Sequence, residues 1–195
     1  MSKDPRKQYQ GAVNKAQGQH FETLLESALA DYANRGIAFI EKTPEPMRPT
    51  KRVGNGKFVA HFEKQAQPDY KGVLMGGRAI VFEAKHTMSD RIEQSRITPE
   101  QWENLCKYYD MGAVCFVLVG FSMQQFFRIP WMLFQTMKEK WGRKYVKPED
   151  LQEWTVKTGR FGQPLILGDV ISKEPPHHTT SNIGMYSAPI TDNKL

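Results

Sequence analysis

Two short strings in this chain carry the residue types that phosphodiester hydrolysis needs. One is Pro68-Asp69-Tyr70-Lys71-Gly72, the other Phe82-Glu83-Ala84-Lys85. Two carboxylates make a cradle of hard oxygens of the kind that holds Mg2+. Such an ion activates a water and polarises a phosphate, and a neighbouring ammonium stabilises the charge that develops there. If residues 79–85 form a strand, alternation places Glu83 and Lys85 on one face and Phe82 and Ala84 on the other. The run is apolar up to Phe82 and then abruptly charged. Charges at the end of a buried strand are costly unless paired or ligated. A plainer reading stays open at this level: Asp69 as a turn residue, and Glu83 with Lys85 as an ordinary strand pair.

Other candidates surround these strings. Glu22 and Glu26 lie one turn apart beside an apolar helical stripe. Glu26 reads as a solvated flank, whereas Glu22 reads equally as a catalytic neighbour or a flank. Gln101 completes a capping box with Thr98, or turns its amide oxygen toward a metal. Lys71 is a turn lysine or a phosphate contact. His20, His61, His86, His177 and His178 lack zinc-ligand spacing and are assigned no ligand role.

The elements that must position these groups follow from periodicity. Phe21, Leu24, Leu25, Ala28, Leu29 and Tyr32 form one helical stripe, closed by Gly36. Residues 37–42 predict a strand. Residues 43–55 hold three prolines and predict no central strand. With the extended stretch 57–62 they form an irregular basic excursion carrying Arg48, Lys51, Arg52, Lys57 and Lys64. Residues 79–85 predict a buried strand after Gly76-Gly77. Thr98-Pro99 opens a helix whose stripe is Trp102, Leu105, Cys106 and Tyr109, stopped by Gly112. These aromatics are spaced as core. Residues 113–121 read as a strand covered on both faces, with 126–129 pairing beside it. Pro130-Trp131 opens a third helix reaching about Trp141, and Pro148 a short fourth. The order predicts an α/β fold: one domain, residues 16–173, with a central mixed sheet flanked by helices. A flexible basic segment, 1–15, precedes it, and a disordered tail, 174–195, follows.

The formal charge is +6, which favours a polyanionic partner. No apolar run reaches the roughly 18 residues of a membrane span, and the first ten residues lack the apolar core of a signal peptide. Cys106 and Cys115 sit in apolar patterns and read as reduced thiols of a cytoplasmic protein.

Residues 18–121 resemble the RecU family of Holliday junction resolvases. The resemblance rests on Phe21-Glu22, on Ile40-Glu41-Lys42-Thr43-Pro44-Glu45-Pro46, and on Pro68-Asp69-Tyr70-Lys71-Gly72-Val73. It continues through Phe82-Glu83-Ala84-Lys85-His86-Thr87, Gln101, and Gly112-Ala113-Val114-Cys115-Phe116-Val117. It implies a restriction-endonuclease-like PD-(D/E)xK fold and a homodimer that nicks four-way DNA junctions in pairs during recombination and repair. The implied cofactor is Mg2+, with Mn2+ able to substitute. By motif position it implies Asp69, Glu83 and Gln101 as metal ligands and Lys85 as transition-state stabiliser. Residues 46–67 would form a stalk entering the junction centre. Where the family tends to carry a hydroxyl-bearing ligand, this chain has Gln67. The connection from Asp69 to Glu83 is about one residue longer than the family's, and a bulge at Gly76-Gly77 would absorb it. Two further readings are another PD-(D/E)xK nuclease of restriction or repair type, and a non-catalytic DNA-binding modulator of recombination. Retention of Asp69, Glu83 and Lys85 opposes the last.

Overall fold

The computed structural model describes residues 5–44, 46–62 and 67–168. Among them six strands form one sheet in the order β1-β4-β5-β7-β8-β10. These strands are β1 (Ala38–Lys42), β4 (Tyr70–Leu74), β5 (Ala79–Thr87), β7 (Val114–Phe121), β8 (Gln125–Pro130) and β10 (Thr155–Val156). β5 and β7 are parallel and every other neighbouring pair is antiparallel, so the sheet is mixed. The parallel pair needs a crossover, and α2 (Pro99–Asp110) supplies it.

Helices cover both faces. α1 (Pro5–Asn34) lays Phe21, Leu25, Ala28, Leu29 and Tyr32 against Ile40, Tyr70, Ile80, Phe82 and Phe116. On the other face α2, α3 (Trp131–Gln135) and α4 (Met137–Trp141) contribute Leu105, Trp131, Phe134 and Met137 to a core with Val81, Val117, Val119 and Ile129. β5 and β7 are buried on both sides, which is why their sequences run apolar without alternation.

Across the α1 face runs a stack of rings. Tyr70 lies on Phe82 at 4.9 Å and 7°, and Phe82 on Phe116 at 4.6 Å and 10°. Arg128 of β8 continues the row over Phe116 at 5.6 Å. These residues are cross-strand partners or near neighbours in register, so offset stacking adds to area burial in holding β4, β5 and β7 together. Gly72 has no room for a side chain: a Cβ would lie 2.1 Å from the carbonyl oxygen of Phe39 on β1.

Several expectations change. The helix begins at Pro5, so residues 5–15 are helical where composition suggested fraying. Good helix formers such as Ala12, Lys15 and Ala16 extend a helix already anchored by its buried stripe. The basic excursion is not irregular: β2 (Met47–Gly54) and β3 (Lys57–Phe62) pair as a separate two-stranded hairpin, exposed along β2. It tolerates Pro49 because the register shifts between Pro49 and Lys51 and because no third strand needs that donor. Gly76 and Gly77, both at φ 89°, form the β4–β5 turn, and the β4–β5 register runs without the expected bulge. The third helix is broken at Thr136 (φ −96°, ψ 21°), whose hydroxyl donates to the Met132 carbonyl. Pro148–Trp154 is a 3-10 helix. Tyr108, not Tyr109, packs against the core from α2. Two-residue strands β6 (Ile92–Glu93) and β9 (Tyr145–Val146) pair with one another, too short for periodicity to reveal. The expected tail, 174–195, lies outside the described residues.

The β7–β8 turn places two non-glycine residues in the left-handed region, Ser122 (φ 48°) and Met123 (φ 60°). Met123 repays this by packing against the α1 core, whereas Ser122 is exposed. Asn accepts that conformation more readily than Ser. Ser122→Asn is expected to stabilise the protein by about 0.5–1 kcal/mol, a fraction of the left-handed penalty, read as a higher urea midpoint at unchanged slope.

Candidate active site

Asp69 immediately precedes β4. Its carbonyl accepts from Thr43 N at 2.8 Å, just past the end of β1. Its side chain turns to the α2 face of the sheet, where Oδ2 accepts from Ala84 N at 3.0 Å and from Lys85 Nζ at 3.2 Å. The same ammonium donates to Glu83 Oε2 at 2.8 Å, and Gln101 Nε2 donates to that oxygen at 2.6 Å. Strand alternation puts Glu83 and Lys85 together as expected, and the β4–β5 hairpin folds Asp69 back beside them.

Glu83 is the one fully buried charged residue among the described ones, at 0% exposure. Its second oxygen, Oε1, is buried with no hydrogen-bond partner. Burial, reinforced by the Asp69 carboxyl, pushes the Glu83 carboxyl up to about 8, against the opposing pull of Lys85. Burial alone would lower Lys85, but Asp69 and Glu83 outweigh it and hold the ammonium above its ordinary range. Two carboxylates share one ammonium, so the fully ionised cluster carries one uncompensated negative charge in a nearly closed space. A proton or a cation must complete it.

Gln101 takes the capping role, and the amide oxygen that the alternative turns toward a metal is engaged in that cap. Its Oε1 accepts from Thr98 N at 3.2 Å and its backbone N donates to Thr98 Oγ1 at 3.3 Å, closing the capping box of α2. The Nε2 left over reaches Glu83. The helix cap therefore aims a polar group at the buried carboxylate.

The remaining candidates lie around this network and not in it. Glu22 on α1 pairs with Lys42 Nζ at 2.7 Å, one residue before the Thr43 amide that anchors Asp69. Burial weighs against the Lys42 ammonium, but Glu22 with Glu26 and Asp69 raises it above its ordinary range. Glu26 is exposed. The exposed Gln67 gives its Oε1 to Lys71 Nζ at 2.7 Å, so these two candidates are engaged with one another. Arg48, Lys51, Arg52 and Lys57 are exposed on the hairpin, and Lys64 lies outside the described residues. Cross-strand register groups Arg48, Lys51, Lys57, Val59 and His61 on one side of the ribbon, and Met47, Pro49, Arg52, Phe58 and Ala60 on the other. His86 packs on Phe21, and burial with Arg96 keeps its pKa below the usual value. Sequence reasoning missed Lys42 and the Ala84 amide. Their roles follow from the β1–β4–β5 register, which no local signal encodes.

Among the described residues no three His, Cys, Asp or Glu side chains gather as a metal cluster. The set is two carboxylates and an amide. It suits a hard ion such as Mg2+, which needs one or two carboxylates and keeps several waters. The partnerless Glu83 Oε1 supports that fit. Asp69 and Glu83 would hold the ion, and Gln101 could add its oxygen by releasing half of the α2 cap.

The structure therefore brings Asp69, Glu83, Lys85 and Gln101 together on one face of a mixed α/β sheet. A profile of the family described as Recombination protein U, RecU, matches residues 16–167. The chain belongs to the RecU family. A protein of Streptococcus pneumoniae serotype 19F (strain G54), named Holliday junction resolvase RecU, is 30% identical over 156 residues, covering 75% of this chain and 78% of that one. A second of that name, from S. pneumoniae (strain Hungary19A-6), is 32% identical over 114 residues, 55% of this chain and 57% of its own length. This chain thus matches little more than half of that relative. A solved structure of Archaeoglobus fulgidus Hjc, a Holliday junction resolvase, aligns at TM-score 0.42 and 13% identity over 67% of this chain and 92% of that one.

The raised Glu83 pKa has a sign that can be worked out. The folded state holds this proton more tightly than the unfolded chain, so the contribution to stability is complete below pH 4.5. It is lost as pH rises toward about 8. In chelator, Glu83→Gln is expected to show a flatter fall in unfolding midpoint from pH 5 to 8 than the parent. Parallel curves would show that Glu83 does not titrate in this window.

Proposed function

We propose that the chain is a divalent-metal-dependent endonuclease that resolves four-way DNA junctions by paired nicking. Mg2+ is the favoured ion and Mn2+ an acceptable substitute. The observation that carries this reading is the wholly buried Glu83 carboxyl beside Asp69: one oxygen lies on Lys85 and Gln101, and the other has no protein donor, so a proton or a cation shared with Asp69 must complete the pair.

The bound ion would supply Lewis-acid polarisation of the scissile phosphate and a more acidic water. The chain's own residues do the rest. Asp69 and Glu83 present hard oxygens on a rigid sheet. The Ala84 amide fixes the Asp69 carboxylate, and Gln101 fixes Glu83. Lys85 is held between both carboxylates with its side chain 15% exposed, which keeps it charged and leaves a path to a phosphate. Such a pre-set ammonium stabilises charge in the transition state without reorganisation.

The hairpin directs this chemistry to junctions. It stands off the sheet between β1 and β4, whose ends also carry Lys42 and Asp69. Residues 46–62 hold four basic residues and no acidic one. Opposed cuts in two strands need two sites related by a twofold axis, so the working form is a homodimer. No helix among the described residues is long and apolar enough to cross a membrane. With two free cysteines, the reading places the protein in the cytoplasm.

A labelled four-way junction and the matching linear duplex, each with and without Mg2+, test the activity. Asp69→Asn is expected to abolish cutting while junction affinity stays within a few-fold, because binding rests on the basic surfaces. Lys85→Ala is expected to slow single-turnover cleavage by about two orders of magnitude or more. Wild-type cutting rates in both variants would refute the site.

The hairpin is tested separately. Replacing residues 47–62 by a short glycine-containing turn is expected to weaken junction binding far more than duplex binding. The salt dependence of junction binding should also become shallower, since fewer counterions are released. Equal losses on both DNAs would leave a nuclease with no junction-specific element.

A further inference from the structure

A second basic segment lies outside the site and the hairpin. Residues 138–147 contain five basic residues and one acidic, Glu139, for a net +4; the whole chain carries +6. The segment ends α4 at Gly142, whose left-handed φ of 68° turns the chain, and continues into β9. β9 pairs with β6, and Gln94 N donates to the Lys144 carbonyl at 2.9 Å. It is thereby bound to the connection that links β5, bearing Lys85, to α2, bearing Gln101. Arg96 of that connection donates to the His86 carbonyl at 3.4 Å, one residue from Lys85.

Rings order the cations on this surface. Tyr145 is held between two guanidiniums, Arg91 and Arg143, each 4.8 Å from its centroid. Lys140 Nζ sits 4.5 Å above Trp154 and 5.1 Å above Trp141. Cations laid on rings have less rotamer freedom to lose when a ligand arrives. Some of the charge is used locally: Arg143 pairs with Asp150 at 2.6 Å, Arg91 with Glu93 at 3.2 Å and Lys147 with Asp90 at 3.2 Å. The Lys147 pair is solvent-exposed on both sides and so is weakly held. Lys144 is exposed. Asp90, Glu93, Glu149 and Asp150 lie beside this surface, so its positive character rests on residues 138–147 themselves, where the lysines are spread along the segment as suits a repeating anion.

The position completes the argument. The hairpin leaves the sheet at its β1–β4 side. The basic segment follows α3, which packs on β7 and β8, so β5 and its Glu83 lie between the two positive surfaces in the strand order. We propose that the surface bearing Lys140, Arg143, Lys144 and Lys147, with Arg91 and Arg96, grips the phosphate backbone of the junction arm that runs away from the active site on the side opposite the hairpin. This rests on the nuclease reading above and adds an arm-length requirement to it. The contacts are to backbone, so they are indifferent to sequence.

The test compares junctions with arms of about 8 and about 25 base pairs, in chelator and over a series of salt concentrations. The variant is Lys140→Ala/Lys144→Ala/Lys147→Ala, which keeps the Arg91–Tyr145–Arg143 sandwich. Lys144→Glu serves as a second, single change, and folding is checked by circular dichroism and unfolding midpoint. The parent is expected to bind long-arm junctions at least tenfold tighter than short-arm ones. In the triple variant that ratio should fall toward one, with the long-arm salt slope shallower by about 2–3. Lys144→Glu should lower the ratio in the same direction. A parent that prefers junction to linear duplex but keeps its arm-length ratio in both variants overturns the arm contact and leaves the nuclease reading standing. A parent without junction preference overturns that reading. A parent with equal affinity for both arm lengths overturns the arm contact directly.

Discussion

A carboxylate with no solvent exposure in the middle of a sheet is the constraint around which this molecule is arranged. Glu83 cannot be ionised there without help, and the fold brings three helpers from three places. Lys85 comes from the same strand by alternation. Gln101 comes from the first turn of the crossover helix. Asp69 comes from the neighbouring strand, and it raises the cost as well as sharing the lysine. The result is a cluster short of one positive charge. Deletion of Lys85 or Gln101 leaves the buried carboxylate worse compensated, and Lys85 joins Glu83 to Asp69, which ties the geometry of β4, β5 and α2 to one another.

The opposite face of the same strands holds that geometry in place. Tyr70 follows Asp69 and Phe82 precedes Glu83, and the two rings are stacked across the β4–β5 pair. β4 and β5 thus place these rings on the α1 face and the charged cluster on the α2 face, where Val81 of β5 also packs. A one-residue slip would exchange the two faces and put charge into the α1 core, so register is strongly specified. Gly72 serves the same end, because β1 lies too close for any side chain there.

Charge is distributed in the opposite sense from the site. The two acids of the cluster lie at a small, largely buried spot, whereas nine of the 27 Lys and Arg residues lie on two segments away from it, the β2–β3 hairpin and residues 138–147. Substrate attraction acts over distances near the Debye length and tolerates exposure and motion. Chemistry needs fixed dipoles in a dry place. The fold keeps these demands apart in space.

Residue type and local spacing were enough to find the acids, the lysine and the capping glutamine, because strand alternation and helix capping are local rules. The mixed α/β class was legible for the same reason: α1 and α2 announce themselves by their apolar stripes, and residues 113–121 by an unbroken apolar run. The similarity of motif strings added the family. What local rules could not supply came from contacts distant in sequence. That Gln101 would both cap its helix and touch Glu83 depended on where α2 docks. That Gln67 would be taken by Lys71, and Glu22 by Lys42, depended on the path of β4 and on the pairing of β1 with it. The basic excursion became a hairpin because its two halves satisfy one another's backbone, a pairing that its prolines concealed. The helical state of residues 5–15 came from propagation off a packed segment. Composition and periodicity determine which groups are available and which face each occupies; only tertiary packing decides which of them meet, since that depends on register and docking between segments that carry no local record of one another.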